Sequence, residues 1–427
     1  MLILALPAAA EFKAGMAKVD LDPPPGMAMG GYSGRSGGAE GMLDPNQARV
    51  LVMSDGARTI ALVTLDLIFP FDMPEADSIR AAAKTAGVEE VILHASHSHS
   101  GPTYGANREA YRKAVDRTKL AIIGASKTMV PAKIGAGFGV AYIGHNRRYS
   151  LTDGQTKMFW RNETKVPSGP YDPTVGVIRI DRENGSPLAI LVNFACHPVV
   201  FGPDNLLYSA DYPGAMRNTI EQAAGEGVMA FFLQGAAGDI NPNLDKTPLE
   251  HNALEAMKRV GGQLGAEAVR VAKTIASRAP EGELRWKTER LTVAARWDVE
   301  KMKAQIEKQF PTMDPARKAR LLQPKMTLPV TTLIIGGEYA FVTMPGEPFV
   351  EFQMQLRARS PLPFTFLLGY TNGGYLYFPT IAAAARGGYG ASSATYVEVG
   401  AGERMMYTGL RSIYELLGKL REKPAQE

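Results

Sequence analysis

The chain has only six histidines, and three of them, His94, His97 and His99, fall within six consecutive residues. They stand in Val91-Ile92-Leu93-His94-Ala95-Ser96-His97-Ser98-His99-Ser100-Gly101-Pro102, where a short apolar strand runs into a Gly-Pro turn. In an extended chain, residues i and i+2 point to the same side. His97 and His99 are therefore expected on one face at the strand's exit, with His94 on the other. Neutral imidazole is a good zinc ligand, so a His-x-His pair is a natural metal dyad. Solvated or hydrogen-bonded loop histidines are the ordinary alternative, and a cluster behind a buried strand weighs against it. His197 repeats the placement: the apolar stretch 188–195 ends in Cys196-His197-Pro198. Proline cannot continue a central strand, so His197 sits at an edge or exit. Cys196 points to the opposite face and is not read as a nucleophile.

A catalytic zinc takes three protein ligands and keeps one open position, so an oxygen donor is sought. Glu347 lies in Met344-Pro345-Gly346-Glu347-Pro348, a tight turn after an apolar strand. A solvated turn carboxylate is the competing reading. The aromatic loop Gly373-Gly374-Tyr375-Leu376-Tyr377-Phe378-Pro379-Thr380 could line a pocket or supply a phenol, although such loops usually serve packing. Gln234-Gly235-Ala236-Ala237-Gly238-Asp239-Ile240-Asn241-Pro242-Asn243 follows another strand. Its small residues let backbone N–H groups approach a ligand closely. It lacks the Gly-Lys-Ser/Thr of a phosphate-binding loop, and no dinucleotide fingerprint occurs. It reads as an active-site wall.

The elements that hold these residues alternate between short strands and helices. Residues 48–53 and 59–65 read as a hairpin, as do 175–180 and 188–194 around Asn184-Gly185. Helices are expected over 74–86, stopped by Gly87, and over 109–125, 213–226 and 254–275. Strands are expected over 91–93, 228–233, 284–294, 328–335 and 339–344, and residues 299–322 read as a charged surface helical pair. The Pro/Gly/Met-rich stretch 22–38 reads as loop, its methionines available to line an apolar pocket. The fold class is α/β, a mixed pattern with several hairpins and no clear domain boundary.

Composition narrows the function classes. Lys+Arg 47 against Asp+Glu 43 gives a net charge of +4, with no basic block or aromatic-studded basic stripe, so nucleic acid is not an expected partner. One cysteine excludes an internal disulfide and a cysteine-rich zinc site. No apolar run reaches the ~18 residues of a membrane span, so no transmembrane segment is expected. The start, Met1-Leu2-Ile3-Leu4-Ala5-Leu6-Pro7-Ala8-Ala9-Ala10, looks like the end of a secretory signal, which points to a secreted or periplasmic protein. The sequence leaves the oligomeric state open.

Together and in this order, these segments resemble the neutral ceramidase family. The opening Ala14-Gly15-Met16-Ala17-Lys18-Val19-Asp20, then Pro24-Pro25-Gly26 and Gly31-Tyr32, is close to the family's first pattern. Asp66, Ser96–Pro102, Asn146-Arg147, Asn193–Pro198, Gly238–Asn243 and Pro345-Gly346-Glu347 match further segments over roughly residues 12–415. The resemblance implies two packed β-sheets flanked by helices. It implies zinc held by His97, His197, Glu347 and a tyrosine, which is Tyr377 if the loop is matched without a gap and Tyr375 otherwise. It makes His99 a neighbouring, oxyanion-stabilising histidine and Arg147 a pocket residue, with Gly238, Asp239 and Asn241 on the substrate side. Asn241 stands where the family has a serine, so a zinc-activated water is the route left open. The expected reaction is hydrolysis of a small-molecule or lipid N-acyl amide, ceramide or ceramide-like, with His99 or Tyr377 handling the proton. A hydrolase of another amide, ester or lactone on the same scaffold, or a binding protein with a degenerate metal site, are the alternatives. A signal-like leader over 1–11 and one catalytic domain over 12–427, without the family's C-terminal β-sandwich, complete the expectation.

Overall fold

Runs of β-branched and aromatic residues build two large β-sheets, besides four two-stranded pairings, in the computed structural model, which describes residues 11–105 and 107–420. The signal-like stretch Met1–Ala10 lies outside the described residues. The larger sheet contains β1 (Lys13–Asp20), β2 (Gln47–Ser54), β3 (Thr59–Leu65), β4 (Glu90–Ala95), β5 (Val130–Val140), β6 (Thr174–Arg182), β7 (Pro187–Phe194) and β8 (Met229–Gln234). Their spatial order is β8-β7-β6-β5-β1-β2-β3-β4. The smaller sheet is β9 (Leu284–Ala294), β10 (Lys325–Ile335), β11 (Tyr339–Thr343) and β12 (Phe364–Leu368), in that order. The pairs β3–β4, β7–β8 and β11–β12 are parallel, and the expected hairpins β2–β3 and β6–β7 are present.

The sheets face each other. Ile60, Leu62, Ile178 and Leu191 of the larger sheet meet Leu333, Ile335, Phe341 and Phe366 of the smaller one in a single buried cluster. The other face of the larger sheet is covered by α1 (Glu75–Thr85) and α2 (Arg108–Lys127) at one end and by α3 (Tyr212–Ala224) and α4 (Ala253–Ala272) at the other. The outer face of the smaller sheet packs against α7 (Val350–Arg359) and α8 (Ala401–Leu416). The result is a mixed α/β architecture of packed sheets between helices. No helix among the described residues is long and apolar enough to cross a membrane.

The charged segment forms the expected pair, α5 (Val299–Gln309) and α6 (Pro315–Leu321). Each starts on an aspartate, Asp298 or Asp314, whose carboxylate accepts two backbone N–H bonds of the first turn. The pair is more than a surface feature, because Met302, Ile306 and Leu321 are fully buried. Two short pairings set up the site. Ile240–Pro242 runs antiparallel to Gly144–Asn146, and Glu347–Pro348 runs parallel to Tyr377–Phe378 with Glu347 opposite Tyr377.

Candidate metal centre and cleft

The side chains singled out by the sequence meet where strands of both sheets end. β4 stops at Ala95, and His97 then takes a left-handed backbone conformation, φ 68°. Strict strand alternation therefore does not carry through to His99. The two rings still end side by side, their centroids 4.9 Å apart, because the turn is pinned by the Ser96 and His97 N–H groups on the carbonyls of Leu65 and Leu67. His94 points elsewhere, as expected, into contact with Thr371 and Gln234.

His97 Nδ1 lies 2.6 Å from the Ile68 carbonyl, and His197 Nδ1 lies 3.1 Å from the Ile240 carbonyl. A carbonyl only accepts, so Nδ1 carries the hydrogen in both rings and each Nε2 presents a lone pair. Both lone pairs face Glu347 Oε2, at 3.3 Å from His97 and 3.2 Å from His197, and His99 Nε2 is 3.3 Å from His97 Nε2. Bonds of ~2.0–2.1 Å to a tetrahedral zinc would put neighbouring donors about 3.3–3.4 Å apart. The donor set fits such an ion in chemistry and in spacing. His97, His99 and His197 all offer nitrogens within 4.8 Å of one another, so His99 stands closer to a metal position than the neighbouring role expected for it.

Electrostatics agree. Burial, and then the nearby Arg147 charge, hold His197 down to about 3. Burial and the adjacent imidazoles likewise lower His99. Both are neutral, ligand-ready rings near pH 7. Glu347 is fixed by its N–H on the Leu376 carbonyl. His99 is wedged edge-on between His97 and Tyr32, and a side chain at Gly31, φ 94°, would run into its ring.

Tyr377 stands beside the cluster, its ring 6.5 Å from that of His197. Its hydroxyl accepts an N–H from Arg147, which also donates to the Gly238 carbonyl and to Asn241 Oδ1. Asn241 spends its Nδ2 on Asp245. Arg147, Gly238 and Asn241 therefore form a buried brace behind Tyr377 and do not line the cleft. Asp239 differs from expectation in the same way: its carboxylate accepts from Asn146 and from the Val350 N–H at the start of α7. Tyr375 turns away, its hydroxyl donating to the Thr327 carbonyl of the smaller sheet. The glycine-rich segment, expected as an active-site wall, stands behind Tyr377 and off the cleft lining, with the Gly238 carbonyl, the Asp239 carboxylate and the Asn241 side chain bonded within the protein.

A cleft of about 160 Å³ opens over the cluster. Crossing it, Phe69 packs on His97, His97 on His99, His99 on Tyr32, and the Arg35 guanidinium sits over Tyr32. Apolar side chains crowd the Phe69 end, including Phe71, Phe310 and Met313, the last two from the α5–α6 connection. Met29 of the Pro/Gly/Met-rich loop also lines it, in line with the expected role of those methionines. Sequence reasoning noted Tyr32 only as part of a family-like segment, and it missed Arg35 and Tyr370. The Tyr370 ring lies tilted 4.2 Å from that of His97, and its hydroxyl is buried without a partner among the described residues. No pattern marks it, since it follows an unremarkable apolar strand.

An imidazole–carboxylate cluster under a cleft, held between packed sheets, could hold a metal ion and defines a candidate hydrolytic centre. The chain belongs to the neutral/alkaline non-lysosomal ceramidase family, whose N-terminal pattern matches residues 12–259, more than half of its length. It is thereby a hydrolase. The neutral ceramidase of Pseudomonas aeruginosa superposes with a TM-score of 0.77 at 20% identity, over 98% of this chain and 76% of that one. A ceramidase complexed with C2 superposes at 0.76 and 19% identity, over 98% and 77%. At these identities the likeness speaks for the fold.

Proposed function

We propose that the chain is a zinc-dependent amidohydrolase that cleaves a linear N-acyl amide of the ceramide type into a fatty acid and an amine. The observation that carries the reading is the convergence of His97 Nε2, His197 Nε2 and Glu347 Oε2 at 3.2–3.3 Å, with both Nδ1 atoms anchored on carbonyls. These three groups would hold the zinc, with the Tyr377 hydroxyl as a nearby additional donor. When bound, zinc supplies a Lewis acid that polarises the scissile carbonyl and makes a nearby water acidic. His99, neutral and on the cleft side, takes a proton at Nε2 and returns it to the amine nitrogen. The water oxygen bonds to the carbonyl carbon, the C–N bond breaks, and the second water proton passes from the new carboxyl group to the amine, leaving a carboxylate and an ammonium. Arg147 keeps the Tyr377 oxygen in position through its N–H, braced in turn by Asn241. Asn241 cannot act as a nucleophile, which supports the water route. The apolar Phe69 end of the cleft receives hydrocarbon and excludes bulk water.

The test is metal content together with turnover of a fluorogenic N-dodecanoyl sphingosine, before and after chelation. About one zinc per chain is expected. Chelation or His97→Ala should lower kcat/KM by more than about a hundredfold. Folded, zinc-supplemented protein that holds no metal, or turnover indifferent to chelation, would overturn the reading.

A further inference from the structure

Behind Tyr377 a row of hydrogen bonds runs away from the cleft. Arg147 Nη2 donates to the Tyr377 hydroxyl at 3.1 Å and to the Gly238 carbonyl at 2.7 Å, and Nη1 donates to Asn241 Oδ1 at 3.1 Å. Asn241 Nδ2 donates to Asp245 Oδ2 at 2.7 Å, and the same oxygen accepts from Lys246 Nζ at 2.6 Å. Tyr377, Arg147, Asn241 and Asp245 are all buried, and the row ends at Lys246, whose side chain is 34% exposed.

Chemistry fixes the direction of these bonds. A guanidinium and an ammonium only donate, and Asp245 Oδ2, bound to the Lys246 ammonium, accepts. Asn241 is the one member that could face either way, because its amide has a donor end and an acceptor end. Asp245 takes the donor end, which leaves the oxygen for Arg147. Turned over, the amide would set N–H against N–H at Arg147 and lose both bonds. The acceptors on Gly238 and Asn241 set where Arg147 Nη2 lies, and so where the Tyr377 oxygen is held.

Asp245 is itself tightly placed. Its N–H bonds the Pro242 carbonyl at 3.0 Å, and its carbonyl accepts from Arg161 Nη1 at 3.0 Å. The Trp160 ring carries both cations of the row, with Lys246 Nζ 4.6 Å and the Arg147 guanidinium 5.2 Å from its centre. Burial raises the Asp245 pKa, and the Lys246 ammonium is the strongest influence against that rise. Oδ1 is buried without a partner among the described residues. A buried carboxylate used through one oxygen adds little to stability, so its placement calls for another account.

We propose that Asp245 is a positioning residue: by fixing the Asn241 amide, it holds the Arg147 guanidinium on the Tyr377 hydroxyl. Its effect on turnover rests on the amidohydrolase reading, whereas its effect on Tyr377 is readable without a metal.

The experiment uses Asp245→Asn and the exchanged pair Asn241→Asp/Asp245→Asn. In Asp245→Asn, Lys246 competes for the one side-chain oxygen left at 245. The new N–H2 offers Asn241 a donor, which favours the wrong orientation. In the exchanged pair, the carboxylate at 241 accepts from Arg147 through one oxygen and from the amide at 245 through the other. Two readouts are taken: the fluorine resonance of 3-fluorotyrosine incorporated at Tyr377 in chelated protein, and kcat and KM for N-dodecanoyl sphingosine on zinc-loaded protein. Asp245→Asn should move the resonance and lower kcat about tenfold or more, with KM changing less than about threefold, the scale of losing a hydrogen-bonded partner behind a ligand. The exchanged pair should return the resonance and most of kcat. A resonance or a kcat unmoved in Asp245→Asn, or an exchanged pair no nearer the wild type than Asp245→Asn, overturns the proposal. If Asp245→Asn does not fold, Asn241→Ala replaces it, since it removes the link between Asp245 and Arg147, and an unmoved resonance there overturns the proposal. A wild type without turnover would sink the amidohydrolase reading alone, and the resonances would still decide the role of Asp245.

Discussion

At the scale of single residues, His94 and His97 show how three positions along a chain separate structure from chemistry. His97 offers a bare Nε2 to the centre. His94 uses its Nε2 to accept the Gln234 N–H at 2.7 Å, and its Nδ1 lies 2.9 Å from Thr371 Oγ1, so it links β4 to β8 and to the loop after β12. Burial holds the His94 pKa down to about 3, against an ordinary 6.5. The unfolded chain therefore takes up this proton as pH falls below 6.5, and the folded one does not until about 3. Stability from His94 is complete above 6.5 and drains away toward 3, at most about 1.4 kcal/mol per pH unit. In urea unfolding under excess chelator, the stability gap between wild type and His94→Gln should narrow from pH 7.5 to pH 5. A constant gap would refute this. The histidine and Pro-Gly-Glu segments were legible because few other structural reasons put those residues at strand exits. Tyr370 was not legible, because its place beside His97 comes from a loop that no local pattern marks.

At the scale of elements, the α5–α6 connection is where packing becomes specificity. Asp298 and Asp314 start two short helices, and the turn between them leaves Phe310 and Met313 on the cleft. Each buried methylene contributes about 0.8 kcal/mol, so removing this wall should penalise long acyl chains more than short ones. Phe310→Ser should cut the dodecanoyl-over-hexanoyl preference in kcat/KM about tenfold, and equal losses on both chains would refute it. Most strands and helices were legible from periodicity; β1, β5, β12, α7 and α8 were not, and β5 shows why. Gly135, Gly137 and Gly139 alternate along it and give it the look of a loop. A side chain at these positions would strike Ile275, Val271 or Glu267 of α4 and its C-terminal extension. Those glycines record the close approach of a helix, which no local propensity contains.

At the scale of the whole molecule, stability and function share the interface between the sheets. Phe341, 3% exposed, lies in that interface with Ile60, Leu62, Ile178 and Leu191 of the larger sheet. Phe341→Ala should cost about 3–5 kcal/mol in chemical denaturation, whereas a loss under about 1 kcal/mol would mean the sheets are not held together there. The layered architecture itself was legible only through family resemblance, since strand order depends on pairings between distant segments such as β1 with β5.

The proposed donors are residues 97, 197, 347 and 377, spread over some 280 positions of the chain. During synthesis the two histidine segments emerge long before Glu347 exists. Contacts so far apart in sequence form late, after the loops that separate them have closed. Nothing short of the docked sheets can therefore assemble the complete set. An ion captured with the full set of donors certifies a finished chain, and a nascent or misassembled one has only a partial grip with which to compete for it.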